Sequence, residues 1–191
     1  EDISEIITLS GTDTEGSDLT YSIVSDVSNG TTSQVCSEYP QACQDGSGNA
    51  YTDGTKVIYN STADWSGTDT FTYKASDGSL DSNTATVTIT VAAVNDAPVT
   101  TGVNEGESNI SATEDINKDI DLSSYTTDVD GDDLTYTIVS QPNDGTITVS
   151  GSTATYAPDS NFNGGQSFEF KANDGTTDSN TSQLNITVAA V

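Results

Sequence analysis

The chain of 191 residues carries 30 Asp and Glu residues against four lysines, with no His and no Met, for a formal net charge of −26. So large a negative charge excludes an electrostatic interface with nucleic acid or with an anionic membrane, because both need basic patches. The absence of His removes the commonest general base and metal imidazole, and no apolar run approaches the roughly 20 residues of a membrane span, so we expect neither zinc chemistry nor membrane insertion.

Short runs of alternating apolar and polar residues recur along the whole chain. Low hydrophobicity with high net charge is typical of disorder, but here the apolar residues are ordered with a period of two. Such runs, rich in Thr, Val, Ile, Tyr and Phe and bounded by Gly, Asn and Asp, predict half-buried strands. No stretch holds a helical pattern, so the sequence predicts an all-β fold. In chain order the runs are 134–139, 168–172 and 184–188.

The second half of the chain repeats the first. Four segments return in the same order, which indicates two copies of one β unit. The matched segments are 1–3 and 114–116 (offset 113), 18–25 and 133–140 (offset 115), 71–78 and 168–175 (offset 97), and 87–94 and 184–191 (offset 97).

The copies differ by an insertion. The fall in offset from 115 to 97 places 18 extra residues in the first copy, between about Gln34 and Lys56. Each unit has room for about seven short strands, as in an Ig-like sandwich. We therefore predict two tandem Greek-key β-sandwich domains. The first domain is 1–94, which has a Cys-containing loop at about 35–55 and whose first strand is apparently missing. The second domain is 95–191, which opens with the linker Asn95-Asp-Ala-Pro98. The chain is interpreted as a piece of a longer tandem array.

Both cysteines fall in the insertion. Six residues, all but one of them polar or Pro, separate Cys36 from Cys43. A loop of this kind favours a disulfide over two buried free thiols, and indicates an oxidising, extracytoplasmic setting. Two interpretations of the insertion stay open: a decorated hairpin, or a recognition loop in which Tyr39 and Tyr51 hold a ligand.

Acidic residues cluster at matching turns of the two copies. Close carboxylates repel one another, and a divalent cation can reverse that cost. Calcium takes about six to eight oxygen ligands from carboxylates, amides and backbone carbonyls. The alternative is that these acids only cap turns through Asx-type hydrogen bonds. The loop 128–134 has acids at EF-hand positions one, three and five, but its Asp133 and Val139 replace the required Gly and Glu, so it is not an EF-hand.

Several spaced signals occur together in order. They are an early Glu, an Asp-x-Asp turn before a Leu-x-Tyr-x-Ile strand, an Ala-x-Asp-Gly turn after an aromatic strand, and a closing strand that ends in Asn-Asp-x-Pro. This set resembles the cadherin repeat over essentially the whole chain. Its forms at 94–98 and 173–175 look most like the cadherin-like or Ig-like tandem repeats of large bacterial surface adhesins of the RTX and VCBS type. The resemblance implies calcium at the junction between the copies.

The same resemblance implies particular ligands. Asp13, Glu15 and Asp77 would serve an upstream junction, and Glu114 a downstream one. The family's Asp-Arg-Glu element is not preserved, since Asp64-Trp-Ser-Gly67 occupies its region, so we expect one or two ions rather than three. The ligands implied at the junction between the copies are Glu1, Asn95, Asp96, the Ala97 carbonyl, Asp128, Asp130 and Asp174.

The sequence thus predicts an extender segment of a bacterial cell-surface adhesin, extracellular and rigidified by calcium, that spaces a distal binding domain in cell adhesion or biofilm attachment. Its partners would be calcium ions and adjacent repeats. The alternative is a module that binds a glycan or a protein through a sandwich face or the Cys36–Cys43 loop. No catalysis is expected, because small sandwiches with short loops seldom form the cleft that a carboxylate pair needs. Lys74 and Lys171 raise the question of isopeptide bonds, but they alternate outward and are expected to be surface lysines.

Overall fold

The computed structural model describes residues 1, 4–37, 43–44, 50–51, 53–103 and 110–191, with the backbone alone for the described residues from 37 to 53. The chain forms two compact units, Glu1–Val94 (unit 1) and Asn95–Val191 (unit 2). Among the described residues, the regular structure consists of strands and a single 3₁₀ turn. The predicted all-β fold class is confirmed.

Unit 1 has two main sheets and a short two-stranded ribbon. Its described strands are β1 (Ser4–Thr8), β2 (Thr20–Ser25), β3 (Gly30–Thr32), β4 (Cys36–Ser37), β5 (Cys43–Gln44), β6 (Ala50–Tyr51), β7 (Asp53–Ser61), β8 (Gly67–Ser76) and β9 (Ala85–Val91). In the first sheet β7 pairs antiparallel with β1, β3 and β4. The second sheet has the order β2-β8-β9, also antiparallel. The ribbon β5-β6 lies within the insertion.

Unit 2 repeats this plan with additional strands. The described strands of unit 2 are β10 (Val99–Thr100), β11 (Ile110–Thr113), β12 (Lys118–Asp121), β13 (Thr126–Thr127), β14 (Thr135–Ser140), β15 (Thr146–Ser150), β16 (Thr153–Ala157), β17 (Gly164–Asn173) and β18 (Ser182–Ala189). One sheet has the order β11-β18-β17-β14, the second β12-β16-β15, and β10 pairs with β13. The 3₁₀ turn Leu122–Tyr125 follows β12, and the Asp121 side chain caps it by accepting from the backbone N–H of Ser123.

The alternating pattern of β17 shows how the core forms. Phe168, Phe170 and Ala172 have no exposed surface, whereas Glu169 and Lys171 between them are half-buried. Because successive side chains of a strand point to opposite faces, the apolar set packs into the core of unit 2 and the charged set faces away from it. The strands predicted from alternation over 134–139, 168–172 and 184–188 are present as β14, β17 and β18.

Six described strands of unit 1 have a counterpart in unit 2. The offsets of the sequence repeat relate β1 to β12, β2 to β14, β3 to β15, β7 to β16, β8 to β17 and β9 to β18. β4, β5 and β6 belong to the insertion, which contains hairpin pairing. Tyr39 lies outside the described residues, so a recognition role for the loop stays a prediction. β10, β11 and β13 have no counterpart among the described strands of unit 1.

Each unit also has a bulge at the same edge strand. The register between β2 and β8 shifts at Val24, and the register between β14 and β17 shifts at Val139. Both valines are turned outward, with exposures of 52% and 49%. β2 and β14 are the outermost strands of their sheets, so the extra residue interrupts an otherwise regular edge.

A buried tyrosine closes the loop that precedes β3 and β15. The Tyr59 hydroxyl donates to the carbonyl oxygen of Asn29 at 3.2 Å, and the Tyr156 hydroxyl donates to that of Asp144 at 2.6 Å. Gly145 follows at a φ of +125°, and a Cβ there would lie 2.7 Å from the Tyr156 ring. Only glycine therefore lets the chain pass this ring.

Candidate metal centre

One acidic turn of unit 2 joins β13 to β14. Asp128 caps this turn, because its Oδ1 accepts from the backbone N–H groups of Gly131 (2.9 Å) and Asp132 (3.2 Å). Gly131 has a φ of +76°, which glycine adopts at no steric cost. This conformation brings carboxylate oxygens of Asp128, Asp130 and Asp132 within 4.8 Å of one another.

A second turn, between β17 and β18, is capped by Asp174. Its Oδ1 accepts from the backbone N–H groups of Thr176 and Thr177, each at 2.6 Å. Its Oδ2 accepts from Asn95 Nδ2 at 2.8 Å, and Asn95 Oδ1 accepts in turn from the Thr176 hydroxyl at 3.0 Å. One oxygen of Asp174 thus stabilises the turn while the other binds the first residue of unit 2.

The next residue is bound to the other turn. The backbone N–H of Asp96 donates to Asp130 Oδ2 at 2.8 Å. The opening segment of unit 2 is therefore attached to both turns, at one end of the unit. We call the following set the acidic centre: Asn95, Asp96, Asp128, Asp130, Asp132 and Asp174.

The acidic centre is electrostatically unbalanced. Hydrogen bonds lower the pKa of Asp174 to about 2, chiefly the bond from the Thr177 N–H and then that from the Asn95 side chain. At Asp132 the pKa is raised, first by desolvation and then by the charges of the neighbouring aspartates. Oδ2 of Asp128 is buried and has no hydrogen-bond partner among the described residues. The centre therefore holds more negative charge than its own hydrogen bonds satisfy.

This donor set fits a calcium ion. Asp128 and Asp174 both use Oδ1 to cap a turn, so turn capping does not occupy the second oxygen of either carboxylate. All the side-chain donors are carboxylate or amide oxygens, the hard ligands that calcium prefers. A buried carboxylate oxygen without a partner and an aspartate repelled by its neighbours are the features that a divalent cation would relieve.

Most of the ligands predicted for unit 2 lie in this centre. Ala97 follows them directly and is exposed. Asp132 belongs to the centre but was not predicted as a ligand. Its signal in the sequence is the third acid of Asp128-x-Asp130-x-Asp132, the spacing that this loop shares with an EF-hand. The predicted ligands that the structure brings to the two turns are Asn95, Asp96, Asp128, Asp130 and Asp174.

The two early glutamates make the same contact in their own units. The backbone N–H of Val94 donates to Glu1 Oε1 at 2.9 Å, and that of Val191 donates to Glu114 Oε1, also at 2.9 Å. Each glutamate thus holds the last residue of its unit. Metal binding by Glu1 and Glu114 remains a prediction.

The acidic turns of unit 1 are capped in the same way. Asp13 Oδ1 accepts from the backbone N–H groups of Glu15 (3.0 Å) and Ser17 (2.9 Å), and Asp77 Oδ1 accepts from two backbone N–H groups at 2.7 Å. Asp64 is exposed at a φ of 56°. In the described part of unit 1, no three acids bring oxygens within 4.8 Å of one another. Turn capping therefore accounts for the contacts of Asp13 and Asp77, and the upstream metal junction stays a prediction.

The described residues test only one half of the predicted disulfide. Cys36, opposite Lys56 on β7, is fully buried and disulfide-bonded. The side chain of Cys43 lies outside the described residues, so the Cys36–Cys43 pairing remains a prediction.

The equivalent lysines form ion pairs with equivalent aspartates. Lys74 lies 3.6 Å from Asp81, and Lys171 donates to Asp178. All four side chains are about a third or more exposed. They are surface ion pairs, as the outward alternation of both lysines predicted.

Sequence reasoning missed a buried carboxylate. Asp69 on β8 is 4% exposed, and it accepts from the backbone N–H groups of Ser28 (3.0 Å), Asn29 (2.7 Å) and Thr70 (2.9 Å). At the equivalent position of β17, Gln166 Oε1 accepts from two backbone N–H groups of the corresponding loop, at 2.9 and 3.3 Å. The signal was available, because Asp69 is in phase with the inward-facing aromatic residues of its strand.

Two successive β units of this topology define a class, the tandem Ig-like or cadherin-like repeats. The family described as Bacterial Ig domain matches residues 1–90 and again residues 95–187, so the chain belongs to this family, in two tandem copies. The predicted resemblance to bacterial cadherin-like or Ig-like repeats is confirmed. Domains of this family are typically extracellular or surface-located, and their fold is not itself catalytic.

Solved structures with a similar fold include cadherin ectodomains. Human mucin-like protocadherin EC1-2 matches with a TM-score of 0.50 at 15% identity, covering 100% of both chains. Mouse cadherin-23 EC22-24 matches with a TM-score of 0.51 at 20% identity, covering 90% of this chain and 54% of that one. These similarities show the fold alone.

A longer enzyme is also similar to the chain. The endo-fucoidan hydrolase MfFcnA4 from glycoside hydrolase family 107 matches at 24% identity with a TM-score of 0.36; the match covers 100% of this chain and 26% of that one. The chain therefore spans about a quarter of the length of that hydrolase.

No curated protein matches the sequence significantly. Within the described ranges, no helix has the length and apolarity to cross a membrane.

Proposed function

We propose that this chain is a spacer segment of a bacterial cell-surface adhesin, stiffened by calcium and working outside the cell between adjacent repeats. In that role it positions a distal binding domain for cell adhesion or biofilm attachment, as in the RTX-type adhesins that the sequence resembles, and it catalyses no reaction. Calcium is the proposed cofactor. The two Ig-like units supply the length, and the acidic centre supplies the stiffness.

One observation carries the proposal. Asn95 and Asp96 open unit 2 directly after Val94, and both are hydrogen-bonded to acidic turns of that unit, at 2.8 Å to Asp174 and 2.8 Å to Asp130. The residues that join the two units are thus part of the same oxygen-rich centre as the turns. A metal bound there would take ligands from the joining segment and from unit 2 together. Glu1 is the ligand that we propose from unit 1.

The chain's own residues prepare the centre for a cation. Asp128 and Asp174 are oriented by the turns they cap, each with Oδ1 engaged, and Asn95 is held by Asp174. The carboxylate of Asp132 is repelled by the carboxylates of its neighbours, which disfavours the close approach of these side chains when no cation is bound. Calcium supplies the positive charge that offsets this repulsion. A short peptide joint between two domains flexes by default, so fixing its residues restricts the hinge.

A calcium titration followed by thermal unfolding tests the binding step. For a site with a Kd of about 0.1 mM, about 1 mM calcium adds about 1.4 kcal/mol of stability. We expect the wild type to show this gain and an Asp96→Ala, Asp130→Ala variant to lose it. The matched control is Asp13→Ala, Glu15→Ala, which removes two acids from the equivalent turn of unit 1. A control that loses the calcium response as completely as the test variant would contradict the assignment of the site.

Small-angle scattering tests the stiffening separately. We expect the distribution of solution dimensions of the wild type to narrow when calcium is added and to stay broad for the Asp96→Ala, Asp130→Ala variant. Scattering curves that overlay with and without calcium, at calcium concentrations where the melting temperature rises, would mean that calcium binds without stiffening the chain.

The alternative interpretation, in which the Cys36–Cys43 loop holds a glycan or protein, depends on side chains outside the described residues.

A further inference from the structure

The opening segment of unit 2 is attached to the loop between β17 and β18 at two places. At its start, Asn95 Nδ2 donates to Asp174 Oδ2 at 2.8 Å. Further along, the Asn180 side chain binds both backbone polar groups of Thr100. Its Oδ1 accepts from the Thr100 N–H and its Nδ2 donates to the Thr100 carbonyl oxygen, both at 2.9 Å. Asp174 and Asn180 lie near the two ends of one loop, 174–181, so the segment and the loop form a closed ring.

Further hydrogen bonds fix the position of Thr100. Its hydroxyl donates to the Asn180 carbonyl oxygen at 2.7 Å, and the Ser182 hydroxyl donates to the Thr100 carbonyl oxygen at 2.9 Å. Thr100 is 3% exposed, and a buried polar group that loses its partner is costly, so these contacts are strongly favoured. Pro98 is fully buried and has its φ fixed by its ring. Little conformational freedom is therefore left between Thr100 and Asp96.

The loop 174–181 has hydrogen bonds that do not involve the Asn180 side chain. The Ser179 N–H donates to the Ala172 carbonyl oxygen, and the Ser179 hydroxyl accepts from the Ala172 N–H, both at 2.9 Å. Asp174 caps its own turn. Asn180 is an exposed residue, so its substitution removes hydrogen bonds without opening a cavity in the core. Such a substitution should leave the Asp174 turn in place and change how the opening segment is held.

The repeat supplies a matched asparagine in unit 1. Asn83 occupies the position equivalent to Asn180, at the same offset of 97 as the flanking strands. Its side chain donates to the carbonyl oxygen of its neighbour Thr84 at 3.3 Å, a contact within its own loop. Substitution of Asn83 is therefore a control for loss of an asparagine at the same place in the fold.

We infer that Asn180 is a positioning residue for the acidic centre; this role rests on the calcium binding proposed above. By holding Thr100 against the loop that carries Asp174, Asn180 fixes the course of the opening segment. Asn95 and Asp96 then lie at the two acidic turns before a cation binds. A site whose ligands are already placed loses less freedom on binding. Removing the Asn180 side chain should therefore weaken calcium binding although it removes no ligand.

Calorimetric titration with calcium measures the dissociation constant of the full chain and of its variants. Loss of a group that orients metal ligands typically weakens metal binding by about 10- to 100-fold, so we expect Asn180→Ala to raise the dissociation constant by about tenfold or more. Asn83→Ala should leave it unchanged. Gln166→Ala, near the other end of β17, should lower the melting temperature in EDTA without changing calcium affinity. An equal loss of affinity in Gln166→Ala would overturn the positioning role.

The variant Asn180→Asp separates position from charge. Its carboxylate keeps an oxygen for the Thr100 N–H but places a second oxygen, instead of an NH2 donor, against the Thr100 carbonyl oxygen. The positioning role predicts weaker calcium binding, whereas an added negative charge by itself would strengthen the attraction for calcium. Stronger calcium binding by Asn180→Asp than by the wild type would overturn the inference.

Hydrogen exchange in EDTA, followed by NMR, tests the contact between Asn180 and Thr100 without calcium. In Asn180→Ala the Thr100 amide should exchange about tenfold faster or more. The Thr101 amide, which donates to the Tyr125 carbonyl oxygen at 2.8 Å, is the internal reference. Unchanged exchange at Thr100 would overturn the contact. A wild type that binds no calcium would refute the proposed function and the positioning role together, whereas equal calcium affinity of wild type and Asn180→Ala would overturn the positioning role alone.

Discussion

Replacing Asp69 with Asn tests whether a buried charge holds the loop between β2 and β3. The carboxylate is 4% exposed, and its two oxygens accept separately from Ser28 (3.0 Å) and Asn29 (2.7 Å). Asn has a single oxygen, so its NH2 group faces one of these N–H groups and leaves it without an acceptor. Because hydrogen bonds to charged groups contribute about 1.5–3 kcal/mol each, we expect Asp69→Asn to lower the stability of unit 1 by about 2–3 kcal/mol at pH 7.

The effect has a defined pH dependence. Burial by itself raises the pKa of Asp69, but the hydrogen bonds from Ser28, Asn29 and Thr70 outweigh it and hold the pKa below its ordinary value. A depressed carboxyl pKa contributes stability that is fully present above the unfolded pKa of about 3.9 and is lost as the pH falls through the folded value. The difference between wild type and Asp69→Asn should therefore be constant from pH 7 to pH 5 and shrink below pH 4.

The assay uses the single tryptophan of the chain. Trp65 lies in unit 1, so its fluorescence during urea denaturation reports the unfolding of that unit. Gln166→Ala, the matched change in unit 2, should leave the Trp65 transition unmoved. A loss under about 0.5 kcal/mol at pH 7, or an undiminished difference between wild type and Asp69→Asn at pH 3, would refute the reasoning.

Two further predictions concern unit 2. Asp132→Asn removes a carboxylate whose pKa is raised by desolvation and by neighbouring charges. Without calcium we therefore expect the variant to have a higher melting temperature than the wild type at pH 7, a gain that vanishes below pH about 4, and we expect a weaker response to added calcium. An unchanged melting temperature would contradict the repulsion between Asp132 and its neighbours. Tyr156→Phe removes the 2.6 Å hydrogen bond to the carbonyl oxygen of Asp144 and should lower the free energy of unfolding, measured by urea denaturation, by about 1 kcal/mol. The loss should be larger than that of Tyr59→Phe, whose hydrogen bond is 3.2 Å long. The reverse order would contradict the geometry.

The fold was predictable because its signal is local and repeated. Alternation identified β14, β17 and β18, since a period of two places the apolar side chains of a strand on one face whatever the neighbouring strands are. The repeat then transferred each strand from one unit to the other. β11 could not be found this way, because Ile110–Thr113 is too short to show alternation and its partner β18 is distant in sequence. Parallel pairing of this kind is not encoded by any local turn.

The candidate site was predictable in part. Resemblance to a known repeat located Asn95, Asp96 and Asp174, because these residues lie in motifs of fixed spacing. Asp132 was missed because exposed acids are common and its position matches no motif of that repeat. Asp69 was missed for a different reason: Asp is a residue type that mostly lies on the surface, although the strand period places this one inward. Burial of a charge depends on backbone N–H groups of another loop, which the local sequence does not reveal.

The bulges at Val24 and Val139 bear on how such repeats coexist in one chain. Tandem copies hold their sheets at high local concentration, and a regular outer strand on each would invite pairing between neighbouring copies. An extra residue in the middle of that strand breaks the ladder of N–H and C=O groups and increases the local twist. Each unit therefore has one edge strand that is unsuited to regular pairing, so that the two tandem sandwiches can each fold without their outer strands pairing with one another.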